Sequence, residues 1–234
     1  MPKREHYLLV DTETTNDAQV FDFGALVADR KGRIITQCSI IVRDNLHKDI
    51  FRLQSVDPSA TWSVAYAERK KESYLKMIDD GTRMLASVAA INRWLERVKI
   101  EYAPILTAYN LGFDLGKARN TGIDLDMFPE RFCLWYLATA MIASTKNYKN
   151  FALSNHYFGS RTELGNMSYR TNAECMAHFV KGFFETEPHT AIEDAMHFEL
   201  PILQSLVNRK GWKKKIGECY DWRNHQLRDH FTAT

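Results

Sequence analysis

The chain is short of several things, and each shortage excludes something. No mainly apolar run is longer than the twelve residues 132–143, whereas a membrane-spanning helix needs roughly 20, so neither a bilayer span nor a membrane partner is expected. Four cysteines (Cys38, Cys133, Cys175, Cys219) occur in 234 residues, none in C-x-x-C spacing. Neither a zinc site nor a disulfide framework is signalled, and reduced, mostly buried thiols are expected. Charge of one sign is not in excess: 31 Lys+Arg face 29 Asp+Glu, for a net +2. That argues against a protein that coats nucleic acid by bulk electrostatics, though not against a local basic groove. Residues 1–6 are rich in charge and lead into only four apolar residues, too few for a secretion signal, which predicts a cytoplasmic protein. There is no internal repeat and no low-complexity segment.

What is present suits a globular chain with a full core: 45% hydrophobic and 26% charged residues. Residues 7–10 form an unbroken apolar run ending at Asp11, as expected of a strand buried on both faces. Residues 21–28 and 33–42 read as two further strands, joined through Asp29-Arg30-Lys31-Gly32 as a hairpin. Residues 44–80 turn polar, with a turn at 57–59 and a charged helix over 66–78, and read as an insertion or lid. Met84, Val88, Ile91, Leu95 and Val98 recur at steps of four and three, predicting a helix over about 82–99 that packs on the sheet.

A strand at 105–109, a helix at 113–120 capped by Gly122, and a strand at 132–136 running into a helix follow. Strands alternating with helices predict an α/β layered fold with a mixed five-stranded sheet. Residues 151–157 read as a helix, 160–170 as a polar loop, and Thr171-Asn172-Ala173-Glu174 as a capping box opening a helix to about Lys181. A last long helix begins after His189 and should kink or break at Pro201, which has no backbone N–H to donate.

Three short motifs carry chemistry. Asp11 and Glu13 lie two apart at a strand end, so both carboxylates face one side; converging hard oxygen ligands suit Mg²⁺ or Mn²⁺. The same spacing at Asp124/Asp126 and Glu185/Glu187 shows that D-x-E alone is weak. In Tyr109-Asn110-Leu111-Gly112-Phe113-Asp114 a strand ends and a helix opens with an acid in its first turn, a position that the helix dipole alone would explain. In His189-Thr190-Ala191-Ile192-Glu193-Asp194 a histidine precedes a helix whose first turn carries an acid. Phe113 reads as a core anchor for its helix, and Glu193 as solvated. The other seven histidines read as structural.

Taken in order, D-x-E, N-x-x-F-D and H-x-x-x-x-D, with three strands first, the chain resembles the DnaQ-like DEDDh 3′-5′ exonucleases of the ribonuclease H-like fold, over about residues 5–208. The histidine five before the last Asp matches the DEDDh branch. The resemblance implies that Asp11, Glu13, Asp114 and Asp194 bind two divalent metal ions and that His189 is the general base. It also implies that Thr12, Thr14 and Asn110 touch the terminal nucleotide. Residues 1–208 would then be the exonuclease domain and 209–234 a basic extension.

That extension carries seven bases against three acids, net +4, leaving −2 on the rest. Trp212 and Trp222 interleave with its charges, so Lys213, Lys214 and Lys215 are candidate nucleic-acid contacts, along with the loops around Lys146, Tyr148 and Lys149 and at 161–170. The expected activity is release of nucleoside monophosphates from nucleic-acid 3′ ends, DNA (single-stranded) favoured. A role as a proofreading or trimming subunit beside a polymerase or other replication or repair protein stays open. An exoribonuclease of the same branch and a non-catalytic binding module on the same fold are the alternatives.

Overall fold

The computed structural model describes residues 5–50, 63–159, 166–216 and 226–228. The turn expected at 57–59, Cys219, Trp222, and the larger part of the 160–170 loop and of the C-terminal extension lie outside them. Three long strands open the chain: β1 (His6–Thr14), β2 (Val20–Asp29) and β3 (Ile34–Val42), successive pairs antiparallel. The region after them carries helix α1 (Val64–Asp79), which delivers the chain to a short strand β4 (Met84–Ala86) parallel to β3. The chain between β3 and β4 is thus a crossover connection.

Helix α2 (Val88–Tyr102), strand β5 (Ile105–Ala108), helix α3 (Leu111–Thr121) and strand β6 (Arg131–Cys133) follow, then α4 (Leu134–Ala138), α5 (Lys146–Ser154), β7 (Asn166–Ser168) and α6 (Ala173–Lys181). The last long helix is α7 (Ala191–Asp194), a π-helical turn over Ala195–Glu199, and α8 (Leu200–Val207). Strand β8 (Gln226–Arg228) pairs with β7 apart from the main sheet.

The main sheet has the order β4-β3-β2-β1-β5-β6, with β5 parallel to β1 and β6 parallel to β5. Antiparallel strands first, then parallel strands joined by helices, make this a ribonuclease H-like α/β fold. Among the described residues the sheet has six strands rather than the expected five. Met84 is 66% exposed on an edge strand, and Ser87 caps α2 by accepting from the Ala90 backbone at 3.4 Å, so the helix starts later than the periodicity suggested. Ile91, Leu95 and Val98 keep the expected buried face.

Alternation along β1 divides the core. Leu8 and Val10 pack with α2 and α3, while Tyr7 and Leu9 pack with α6, the last helix and Trp212. Asp11 and Glu13 continue the Tyr7–Leu9 side, so they point toward the last helix. Two further expectations change. Thr171 and Glu174 do not form a capping box: the Thr171 hydroxyl accepts from Trp135 Nε1 at 2.9 Å and Glu174 accepts from the Glu187 backbone at 3.3 Å. Pro201 does not break the helix, because it sits in the first turn of α8 behind the π turn, and the His197 carbonyl four residues earlier accepts from Lys181 Nζ at 3.2 Å. Among the described residues no helix is long and apolar enough to cross a membrane.

Gly24 faces Asp11 across the β1–β2 ladder, and a Cβ on it would lie 2.4 Å from the Ala191 carbonyl carbon and the Ile192 nitrogen. Backbone cannot yield there as a side-chain tip can. Gly24→Ala is expected to destabilise the protein by about 1–3 kcal/mol or more, read as a lowered urea midpoint by circular dichroism, with an unchanged midpoint contradicting the close approach.

Candidate active site

The three motifs meet at the carboxyl end of β1. Asp11 and Glu13 come from β1, Asp114 from the first turn of α3, and Asp194 from α7. Asp114 is 1% and Asp194 3% exposed. Thr12 points to the opposite face of β1 from Asp11, and its hydroxyl donates to Asp114 Oδ1 at 2.8 Å. Thr12 therefore orients an acid rather than opening toward solvent. Thr14 lies where the β1–β2 register slips. Asn110 adopts φ 69° at the start of α3 and is exposed beside Asp11.

The last helix is seated by buried polar contacts. The Asp22 carboxylate accepts from the Ala191 backbone at 3.0 Å, and Arg83, 4% exposed, lies 3.5 Å from Asp22 and also pairs with Glu193. Glu193 is therefore half-buried in an ion pair, not solvated. The Thr190 backbone donates to Asp194 Oδ2 at 3.1 Å, while Asp194 Oδ1 is buried without a hydrogen-bond partner among the described residues. Ligand atoms of Glu13, His189 and Asp194 lie within 4.8 Å of one another. His189 has φ 54° and is half-buried.

Two more carboxylates join this set. Glu199 is 3% exposed with Oε2 unpartnered among the described residues, and Glu187 is half-buried; both border, with Asp11, Asn110 and Trp135, an open groove of about 340 Å³. In an α-helix Glu199, five residues after Asp194, would point elsewhere; the intervening π turn returns it to the same side. A lone acid inside the apolar run Phe198-Glu199-Leu200 was the available sequence signal.

Burial, and after it the crowding of like charge, sets the electrostatics. Burial and then the neighbouring Glu199, Asp114, Glu13 and Asp194 push Asp11 well above the usual carboxylate range. Burial, followed by Asp194 and Asp22, does the same to Glu13. Burial lifts Asp114 to about 7, the Thr12 hydrogen bond opposing it, and lifts Asp194 to about 8 and Glu187 to about 7. Glu199 is raised too, by burial and then Asp114. His189 moves the other way, lowered by burial and then by the Lys70 ammonium.

Other candidates fall elsewhere. Asp124 and Asp126 are exposed, Asp126 pairing with Arg119 and Arg131. Phe113 is 43% exposed with the Lys117 ammonium 4.8 Å from its ring centre, and the buried Leu111 anchors α3 instead. Trp212 is core, packed on Tyr7 and Phe132, and Tyr148 is buried. Lys213 pairs with Glu5 at the amino end of β1, roughly 25 Å along the strand from Glu13 at about 3.3 Å per residue. Lys214 and Lys215, exposed, follow it there.

No family model matches the chain, and no curated protein matches it in sequence. Among solved structures, exonuclease I in complex with the inhibitor BCBP is similar to it with a TM-score of 0.45 and 14% identity, over 91% of this chain and 43% of that one. The chain thus spans less than half the length of that protein.

Proposed function

We propose that this protein is a metal-dependent 3′-5′ exonuclease that hydrolyses the terminal phosphodiester bond of nucleic acid, DNA favoured, and releases nucleoside 5′-monophosphates. One observation carries this reading: three motifs from distant parts of the chain converge, with four carboxylates and a histidine at one strand end.

The residues fit divalent cations. A buried Asp194 Oδ1, unpartnered among the described residues, beside Glu13, and carboxylates held well above their ordinary range by burial and then by one another, are a donor set that lacks its counter-charge. Asp11, Glu13, Asp114 and Asp194 would hold two ions, Mg²⁺ or Mn²⁺. Such ions, when bound, neutralise the carboxylates and stabilise the attacking and leaving oxygens of in-line displacement. His189, held below its usual range, is neutral near pH 7 and takes the proton of the attacking water. Thr12 keeps Asp114 aimed inward. Asn110 and Thr14, at the rim, contact the terminal nucleotide.

Digestion of 5′-labelled single- and double-stranded DNA and RNA with Mg²⁺ or Mn²⁺ tests this. A ladder shortening from the 3′ end is expected. Asp11→Ala should abolish it, and His189→Ala should lower the rate about 10²–10⁴-fold. No ladder on any substrate, or full activity of Asp11→Ala, would refute the nuclease reading and leave the binding-module alternative; a ladder on RNA alone would favour the exoribonuclease.

Stability should report the same site. Because Asp114, Glu187 and Asp194 titrate near 7–8 when folded and near 4 when unfolded, the folded state holds more protons between those values. Metal-free stability therefore falls as pH rises from about 4 to about 8. The EDTA-treated protein should have a lower Tm at pH 8 than at pH 5.5, and Mn²⁺ should raise it more at pH 8. Equal Tm values would mean that these carboxylates are not strained.

Lys213, Lys214 and Lys215 can serve only a strand long enough to reach the far end of β1. Replacing all three by Ala should lower the magnitude of the salt slope for long single strands by up to about 2, leaving short substrates unaffected. Equal slopes would assign them to solvated surface.

A further inference from the structure

Helix α1 belongs to none of the three motifs, yet it reaches the loop that bears His189. Lys70 Nζ donates to the Pro188 carbonyl, and the Tyr74 hydroxyl lies 3.4 Å from the His189 carbonyl as its donor. The two donors are four residues apart on one face of α1, and the two acceptors are consecutive peptide carbonyls. The Lys70 ammonium also lies 5.8 Å from the centre of the Tyr74 ring, so the donors brace each other.

The loop needs this support. His189 sits in the left-handed region at φ 54°, a conformation that is unfavourable for a non-glycine residue and persists only where surroundings hold it. The helix, in turn, is firmly placed. Ser63 caps it by accepting from the Tyr66 backbone at 3.2 Å, Lys71 Nζ donates to the Lys48 carbonyl at 2.9 Å, and Tyr74, 1% exposed, packs edge-on against Phe21 of β2 with ring centres 5.2 Å apart. A rigid sheet residue, a capped helix and two donors thus lead in sequence to the backbone on either side of the His189 α-carbon.

We infer that Lys70 and Tyr74 are positioning residues that clamp the Pro188-His189 backbone and so fix where the His189 imidazole points. The inference deepens the exonuclease reading and rests on it for the role of His189, but the clamp itself can be observed without activity. Tyr74 acts through the loop alone; Lys70 acts through the loop and, by its charge, on Glu13, Asp194 and His189, a charge that Lys70→Arg keeps. The crossover from β3 to β4, beyond joining two strands, sets the geometry of a residue more than a hundred positions away.

The test uses the full chain and the variants Lys70→Met, Lys70→Arg and Tyr74→Phe, with Lys76→Met, exposed on the same helix, as control. In ¹H–¹³C spectra of the imidazole Cε1–H groups, with His189 assigned through His189→Gln, the His189 signal should shift or broaden in Lys70→Met and Tyr74→Phe. It should return in Lys70→Arg, which restores a donor, and stay in place in Lys76→Met. In cleavage assays kcat should fall about 10–100-fold in the first two variants, the range expected when a reacting group is displaced by about 1 Å. KM should be unchanged, and Lys70→Arg should recover most of the rate. An unmoved His189 signal in both variants overturns the clamp. A raised KM with unchanged kcat in Lys70→Met overturns it for Lys70, whose ammonium would then meet the substrate. A wild-type protein that cleaves nothing refutes the exonuclease reading, while the spectra still decide the clamp.

Discussion

Gly24 and the peptide between Ala191 and Ile192 touch so closely that a methyl group has no place between them. Sheet and helix backbones can approach this far only where one partner has no side chain, and the register puts that spot directly opposite Asp11. The rest of the site depends on this approach. It brings α7 down onto β1 and β2 and sets Asp194 beside Glu13. It also lets the Asp22 carboxylate reach the first backbone N–H of the helix. Arg83, between Asp22 and Glu193, then locks the helix against rotation with a charge that is itself almost wholly buried.

Such a frame is needed because what it holds repels itself. Asp11, Glu13, Asp114, Asp194, Glu187 and Glu199 crowd one strand end; burial pushes every one of them toward the protonated form, and for Asp11, Glu13, Asp194 and Glu199 the charge of the others adds to it. An arrangement of this kind lowers stability and is characteristic of functional sites. Two devices limit the strain: the Thr12 hydroxyl bonded to Asp114, and the Lys70 ammonium, whose charge opposes the upward shifts of Glu13 and Asp194. The first comes from β1 itself and reaches across to α3; the second comes from α1, which carries none of the acids.

Much of this was legible from residue order. The apolar run ending at Asp11, the Gly-containing hairpin link and the periodic face of Ile91, Leu95 and Val98 each depend on local repeats of two or about 3.6 residues, and each appears where expected. The departures have a common cause. β4 is three residues long and carries no period; Thr171 had a better partner in Trp135 than in its own helix; Phe113 lost its place in the core to Leu111; Trp212, read from its charged neighbours, packs inward on Tyr7 and Phe132. In every instance tertiary packing outbid the local pattern.

The sequence alone determined which strands and helices form along most of the chain and the identity and order of the acids and the histidine, because side-chain chemistry and local periodicity are written residue by residue. Only the tertiary structure decided that these groups meet, that Glu199 and Glu187 join them, that the Lys213–Lys215 cluster sits at the opposite end of β1, and that α1 grips the His189 loop. Those outcomes depend on a π turn that shifts helical phase by one residue, a glycine contact and pairings across more than a hundred positions. None of these leaves a repeating trace in the sequence.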